Sequence, residues 1–137
     1  MNTHPHLRAY LAGIAVPTFL TPLVVCGFAI EHFRFGIAVP IERVLIFPMA
    51  LLPVLWGAWN VLYFLLGPRL RLPFGFHGLL FFAVFGPIGF FLARFVLDLS
   101  SVFTLQFFGV MIPSGLLVYY LLWKYFVSYF NRLLGLA

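Results

Sequence analysis

The chain has 137 residues, of which 64% are hydrophobic and only 8% are charged. A water-soluble domain carries roughly 45–50% apolar and about 25% charged residues, so this composition argues against a soluble enzyme, a nucleic-acid-binding domain and a disordered segment. The formal net charge of +5 comes from 8 basic and 3 acidic residues, which are too scattered for a nucleic-acid surface and better suit anionic lipid headgroups. The sequence therefore predicts an integral membrane protein.

Four apolar stretches are long enough to cross the hydrocarbon core as a helix, which takes about 20 residues. They cover about 9–30, 44–66, 76–97 and 102–123. A β-barrel would alternate apolar and polar residues along each strand, whereas a run such as 79–85 is apolar throughout. We therefore expect an all-α protein with four transmembrane helices, packed as an antiparallel bundle that forms one domain over 1–137.

The first stretch, 9–30, follows the basic Arg8 and could alternatively be a cleaved secretory signal. It is longer than the apolar core of a usual signal peptide, and Val25 is larger than the small residue that precedes the cysteine of a lipoprotein signal. We therefore expect an uncleaved helix in which Cys26 packs in the core.

Small residues lie at helical spacing on the second and third stretches, where they let helix backbones approach closely. On the second stretch they include Gly57 and Asn60, whose amide can hydrogen-bond across such a contact; on the third they include Gly86 and Gly89. We predict helix-packing faces at these residues, either within one chain or between chains. Six of the ten prolines also lie inside the four stretches, where they indicate kinks or, alternatively, the broken helices of transporters.

The connection between the second and third stretches, 67–73, is rich in proline and basic residues. Its Arg69 and Arg71 should each contribute about 1 kcal/mol of attraction to an anionic membrane leaflet. With the N-terminus inside, five of the eight basic residues lie inside and all three acidic residues lie outside, in agreement with the positive-inside rule. We predict a multi-pass protein of the plasma membrane (the inner membrane of a bacterial cell), with both termini in the cytoplasm.

Arg94 lies near the end of the third stretch, where an arginine is costly unless it reaches the interface or is paired. Asp98 is one turn further on the same face, so a local Arg94–Asp98 ion pair that anchors the helix end is the simpler interpretation. The alternative is a polar outer vestibule around Arg94 that binds an anionic group or gates a path. Its predicted members are Arg94, Asp98, Gln106, Glu31 and Glu42.

After the fourth stretch the chain is expected to stay helical. Lys124, Ser128, Asn131 and Arg132 fall on one face at helical spacing, which predicts either an amphipathic helix at the inner interface or the frayed end of the fourth span.

The sequence shows no arrangement typical of catalysis: there is no HExxH motif, no glycine-rich phosphate loop and no recognisable nucleophile with its base. His4, His6 and His77 could meet at the inner face and bind zinc, although flexible histidines are more often simply solvated. We predict no cofactor, and the sequence leaves the zinc question open.

These features predict a small non-catalytic subunit or assembly factor of a larger membrane complex. Its partners would be the lipid bilayer and other membrane proteins, and no nucleic acid. The alternative is a small homo-oligomeric channel or transporter with the polar vestibule around Arg94.

Overall fold

The structure, a computed structural model, describes residues 4–70, 72–98 and 105–136. Every regular element in these ranges is helical, which confirms the all-α fold class. The α-helices are α1 (Pro5–Phe35), α2 (Ile41–Val44), α3 (Leu52–Leu70), α4 (Phe74–Phe91), α5 (Leu105–Leu121) and α6 (Ser128–Leu133). Three π-helical segments adjoin them: Leu45–Met49 after α2, Leu92–Val96 after α4 and Leu122–Val127 between α5 and α6.

Three helices among the described residues are long and apolar enough to cross a membrane: Pro5–Phe35, Phe74–Val96 and Gly109–Leu133. They overlap the first, third and fourth predicted stretches, but Gly109–Leu133 continues ten residues beyond the predicted end at 123, and residues 102–104 lie outside the described ranges. The helix in the second stretch, Leu52–Gly67, is apolar but shorter. Over the described residues the structure thus supports a membrane protein with three helices of spanning length, and it does not confirm the four that the apolar stretches predict.

Pro53 gives a physical reason for the shorter helix in the second stretch. Proline has no backbone N–H, and its ring crowds the carbonyl four residues earlier, here that of Met49. The backbone before Pro53 is π-helical, and the amide of Ala50 donates to the carbonyl of Leu45 at 3.1 Å, five residues back. The regular helix begins again at Leu52, so the apolar run is divided.

In contrast, α1 continues through Pro17 and Pro22 for 31 residues. It ends at Gly36, which adopts a left-handed conformation (φ 66°) and donates its N–H to the carbonyl of Glu31. A positive φ at this position is a common way to end a helix because glycine has no Cβ to oppose it. The prolines of α1 therefore lie within a continuous helix and do not break it.

Close helix contacts are made at glycines. A Cβ built on Gly13 of α1 would lie 2.6 Å from the carbonyl oxygen of Trp56 and 2.8 Å from the Cα of Gly57 in α3. A Cβ on Gly75 of α4 would lie 2.6 Å from the ring of Tyr120 in α5. Only a residue without a side chain allows these backbones to approach so closely.

Burial is concentrated at one end of the molecule, which we call the packed end. All buried residues of α1 lie between Ala9 and Pro17. The apolar core that they join contains Trp56, Phe81 and Trp123. We call the other end, which contains residues 18–50, 82–98 and 105–118, the open end, because its large apolar side chains are mostly exposed.

Candidate functional site

A cleft of about 570 Å³ lies at the open end, where α1 ends, α2 begins and the segment after α4 ends. The polar side chains that line it are His32, Glu42, Arg43 and Asp98. Two of them, Glu42 and Asp98, belong to the predicted vestibule. The structure therefore brings together two predicted residues with two that were not singled out.

Local backbone geometry places these residues around the cleft. Asp98 adopts a left-handed conformation (φ 52°) at the end of the Leu92–Val96 segment, which short polar residues tolerate better than others. The guanidinium Nη1 of Arg43 donates to the carbonyl oxygen of Leu97 at 2.7 Å. This bond holds the start of α2 against the end of the Leu92–Val96 segment.

The other predicted vestibule residues lie outside the lining of this cleft. Arg94 is exposed, and its guanidinium carbon lies 6.0 Å from the ring centroid of its neighbour Phe95. Gln106 and Glu31 are exposed on α5 and α1 respectively. Arg43 is among the residues that line this cleft, and Arg94 is not. The sequence could not predict the hydrogen bond from Arg43 to Leu97, because the two residues are 54 positions apart.

The predicted helix-packing residues divide between the two ends. Gly57 lies under the ring of Tyr10 and the side chain of Ile14, so that an added Cβ would come within 2.6 to 2.7 Å of them. A Cβ on Gly86 would make only ordinary contact, at 3.8 Å, with Phe82 of its own helix. Gly89 is half-buried.

Asn60 belongs to a buried polar cluster at the packed end. Its Nδ2 donates to the carbonyl of Ala9 at 2.7 Å and to Oδ1 of Asn131 at 2.8 Å, while Nδ2 of Asn131 donates back to Oδ1 of Asn60 at 3.3 Å. The cluster joins α1, α3 and α6. Asn131 is therefore buried in the packed end, away from the polar face predicted for the C-terminal segment.

Aromatic rings surround this end of the core. Trp56 lies 5.5 Å from Trp123 and 5.9 Å from Phe81, measured between ring centroids. Trp59 donates from Nε1 to the carbonyl of His77 at 3.1 Å. The indole Nε1 of Trp123 is buried without a hydrogen-bond partner, an arrangement that proteins generally avoid.

The other residues singled out from the sequence are the two loop arginines, the three histidines and the cysteine. Arg69 is exposed at the end of α3, and Arg71 lies outside the described residues. His4 and His6 are exposed whereas His77 is buried. Within the described ranges, the structure shows no group of three or more His, Cys, Asp or Glu side chains that could hold a metal ion. Cys26, expected in the core, is exposed because it lies in the open half of α1.

Comparison with known proteins found no match to a protein family, to a curated protein or to a solved structure.

Proposed function

We propose that the chain crosses a membrane four times, the second time through α2, the Leu45–Met49 segment and α3. At about 1.5 Å per residue, the run 41–70 is long enough to cross despite its irregular turn. Contacts between α1 and α3 support an antiparallel arrangement, because Ala9 contacts Asn60 whereas Gly13, further along α1, lies against the earlier residue Trp56. Gly75 and Gly78 of α4 likewise approach Tyr120 and Tyr119 in reverse order.

Charge supports a cytoplasmic location for both termini in the plasma membrane. The first and last described helices bring Arg8 and Gly135 together, since a Cβ on Gly135 would lie 3.3 Å from Nη2 of Arg8. The packed end carries Arg69, Lys124 and Arg132 as well, and all three acidic residues of the chain lie at the open end. Basic residues favour the cytoplasmic side.

Within that membrane the chain serves as a non-catalytic subunit or assembly factor. The observation that carries this proposal is the uneven burial along the helices. At the open end, Phe19 and Val110 are each 70% exposed and Phe33 is 80% exposed. Aromatic and large apolar side chains are typical of protein interfaces, and helices that are poorly packed at one end leave room for a helix of a partner subunit. The packed end holds the fold together, and the open end receives the partner.

Site-specific photocrosslinking in native membranes tests this division. A photoreactive amino acid at Phe19 or Val110 should crosslink in stoichiometric yield to one different polypeptide, which should also copurify in mild detergent. Leu65, 54% exposed on α3 at the packed end, is the matched control and should crosslink mainly to lipid. Equal protein crosslinking from Leu65, or none from Phe19 and Val110, would contradict the proposal.

The alternative, a small homo-oligomeric channel or transporter, is favoured by the open-end cleft. The exposed carboxylate of Glu42 lines this space of about 570 Å³ together with His32, Arg43 and Asp98, and carboxylates at a pore mouth attract cations. In proteoliposomes, Glu42→Gln should then lower cation flux. Glu31→Gln, an exposed carboxylate outside the cleft, should leave it unchanged. Equal flux in all three proteins contradicts this alternative.

A further inference from the structure

A cluster of hydrogen-bond donors lies at the packed end, where α5 passes through its π-helical segment into α6. At its centre is Lys124, which is exposed. The Nζ atom of Lys124 lies 5.5 Å from the ring centroid of Tyr120 and 5.3 Å from that of Tyr125. It also donates hydrogen bonds to the side-chain hydroxyls of both tyrosines. We call these three residues the Lys124 cluster.

The backbone brings the two tyrosines of the cluster to the same ammonium group. They are five residues apart, which in a regular α-helix would separate them by about 140° around the axis. Tyr125 belongs to the π-helical segment Leu122–Val127, whose hydrogen bonds join residues five apart, so it returns toward the side of Tyr120. The ring of Tyr120 packs closely on α4, since a Cβ on Gly75 would lie 2.6 Å from it. Two helices therefore hold the cluster in place.

Two further donors lie on the same side of the helix as Lys124. The buried residues of this segment recur every four positions, at Trp123, Val127 and Asn131. The positions directly after them therefore share a second side of the helix, which carries Lys124, the half-buried Ser128 and the exposed Arg132. Residues four apart on a helix are neighbours, so the long side chains of Lys124 and Arg132 can converge over the hydroxyl of Ser128.

This donor-rich surface carries charge of one sign. The three acidic side chains of the sequence, Glu31, Glu42 and Asp98, all lie at the open end, so none of them lies beside Lys124 or Arg132. Ammonium and guanidinium groups only donate, and a phenol oxygen that accepts from Lys124 keeps its own proton to donate. Positive charge and several donors without an anionic acceptor are the chemistry that binds a phosphate group.

The level of the cluster along the helices determines what carries that phosphate. Tyr120 packs against Gly75 in the first turn of α4, where the apolar helix Phe74–Val96 begins. If this helix crosses the bilayer, its beginning lies at the membrane surface, among the lipid phosphates. The large side chains around the cluster that are more than half exposed are aromatic, at Tyr125, Phe126 and Tyr129. Tyrosine is typical of the membrane interface, so the surroundings suit a lipid better than a soluble anion.

We propose that the Lys124 cluster binds the phosphate of an anionic phospholipid in the leaflet that meets the packed end. Nζ of Lys124 and the hydroxyls of Tyr120 and Tyr125 donate to the phosphate oxygens, and Arg132 reaches the headgroup from two turns further on. The acyl chains lie along the exposed aromatic side chains. Phosphatidylcholine binds more weakly, because Lys124 and Arg132 repel its quaternary ammonium group.

The proposal rests on the membrane crossing proposed above, but not on a partner subunit. Flotation of the purified protein with vesicles of phosphatidylcholine alone, after an alkaline wash, tests the crossing without any anionic lipid. Lipid binding is then measured by native mass spectrometry of the delipidated protein, offered equal amounts of phosphatidylglycerol and phosphatidylcholine with the same acyl chains. We expect one phosphatidylglycerol to bind more tightly by a factor of about five or more. A protein that inserts into the vesicles but prefers neither lipid would overturn the site alone.

The hydroxyl of Tyr125 is tested by Tyr125→Phe, which keeps the ring and the net charge. This variant should bind phosphatidylglycerol roughly fivefold more weakly, the usual effect of one lost hydrogen bond, and phosphatidylcholine as before. Tyr129→Phe is the matched control, since Tyr129 is also 56% exposed but lies outside the cluster. An equal loss in the two variants, or no loss in either, would contradict the proposal.

The charge of Lys124 is tested by Lys124→Gln, which should weaken phosphatidylglycerol binding about fivefold. Arg34→Gln, an exposed basic residue at the open end, should have no effect. Lys124→Gln/Leu133→Lys restores the net charge on a different side of the helix and should bind as weakly as Lys124→Gln. Full recovery in this double variant would show that net charge alone attracts the lipid, and it would overturn the proposal. Circular dichroism of each variant confirms that it has folded.

Two other anions are distinguished in the same measurement. Millimolar inorganic phosphate should not displace phosphatidylglycerol, because it lacks the acyl chains. Complete displacement would assign the site to a soluble phosphate and overturn the lipid proposal. An acidic polypeptide that copurifies in place of the lipid, and that Lys124→Gln releases, would overturn it as well.

Discussion

Asn60 and Asn131 bury two side-chain amides that are almost completely shielded from the surroundings. Each amide is the other's partner, and Asn60 also donates to the carbonyl of Ala9. A buried polar group without a partner costs about 1–3 kcal/mol, whereas a satisfied pair contributes modestly. The intact pair therefore adds only modestly to the stability of the fold, but removal of one amide would destabilise it because the other amide would be left unpaired.

Replacement of Asn131 by Leu tests this dependence. It leaves the amide of Asn60 with an unpaired carbonyl oxygen, so we expect the free energy of unfolding to fall by about 1–2 kcal/mol. The measurement is reversible unfolding in detergent micelles. The double variant Asn60→Leu/Asn131→Leu should lose less than the sum of the two single variants, and an additive loss would show that the amides do not interact.

The sequence indicated only half of this cluster. An asparagine in an apolar stretch predicts a hydrogen bond across a helix contact, and this singled out Asn60. The partner, Asn131, is 71 residues away, and its local pattern placed it on a polar face. Periodicity describes which residues share a side of one helix, but the pairing of two helices depends on contacts that no local pattern contains.

At the scale of helices, glycines decide how closely the elements approach. Gly13 of α1 lies against the backbone of α3 at Trp56 and Gly57. A backbone cannot move aside as a flexible side chain can, so the position tolerates no Cβ without separation of the two helices. Gly27, further along α1, has no atom within 4 Å of an added Cβ.

We therefore expect Gly13→Ala to lower the free energy of unfolding by about 1–3 kcal/mol, the range for an overpacked contact. Gly27→Ala is the matched control on the same helix, and it should be neutral or slightly stabilising because alanine favours the helical conformation. Thermal unfolding in detergent compares the two. A Gly13→Ala protein as stable as the original would mean that α1 and α3 are less closely packed than described.

Hydropathy predicted the first, third and fourth long helices because apolar composition is a local property. The interruption near Pro53 was predicted only as a kink, since a proline removes a known hydrogen bond but does not dictate how the chain compensates. The structure compensates with the π-helical segment Leu45–Met49. Similarly, the spacing of small residues identified Gly57 as a packing residue. Gly13 was not identified, because its role is visible only when the helix that faces α1 is known.

For the molecule as a whole, the contrast between the packed and open ends sets the expected orientation. Arg8 and Gly135 lie close together at the packed end, and the loop after α1 lies at the other end together with the cleft. In a bilayer these ends face opposite sides. The hydrophobic composition predicted the membrane environment, but it could not predict that burial would be concentrated at one end, with Val39 and Ala93 as buried exceptions at the other.

Cysteine accessibility tests the proposed orientation. In a Cys26→Ser background, His6→Cys and Leu133→Cys should react with an impermeant thiol reagent only after the cytoplasmic side is opened, because both lie at the packed end. Ile37→Cys, in the loop after α1, should react in intact cells. Labelling of positions 6 and 133 from opposite sides would contradict the four-span topology.

The amide pair also bears on how the protein is made. Asn60 leaves the ribosome 71 residues before Asn131, so in the nascent chain its Oδ1 lacks the donor that Asn131 supplies until the distal helix follows. A polypeptide truncated between Asn60 and Asn131 would keep the Asn60 amide incompletely paired within the membrane. We expect quality-control proteases to distinguish unfinished chains from finished ones by this difference.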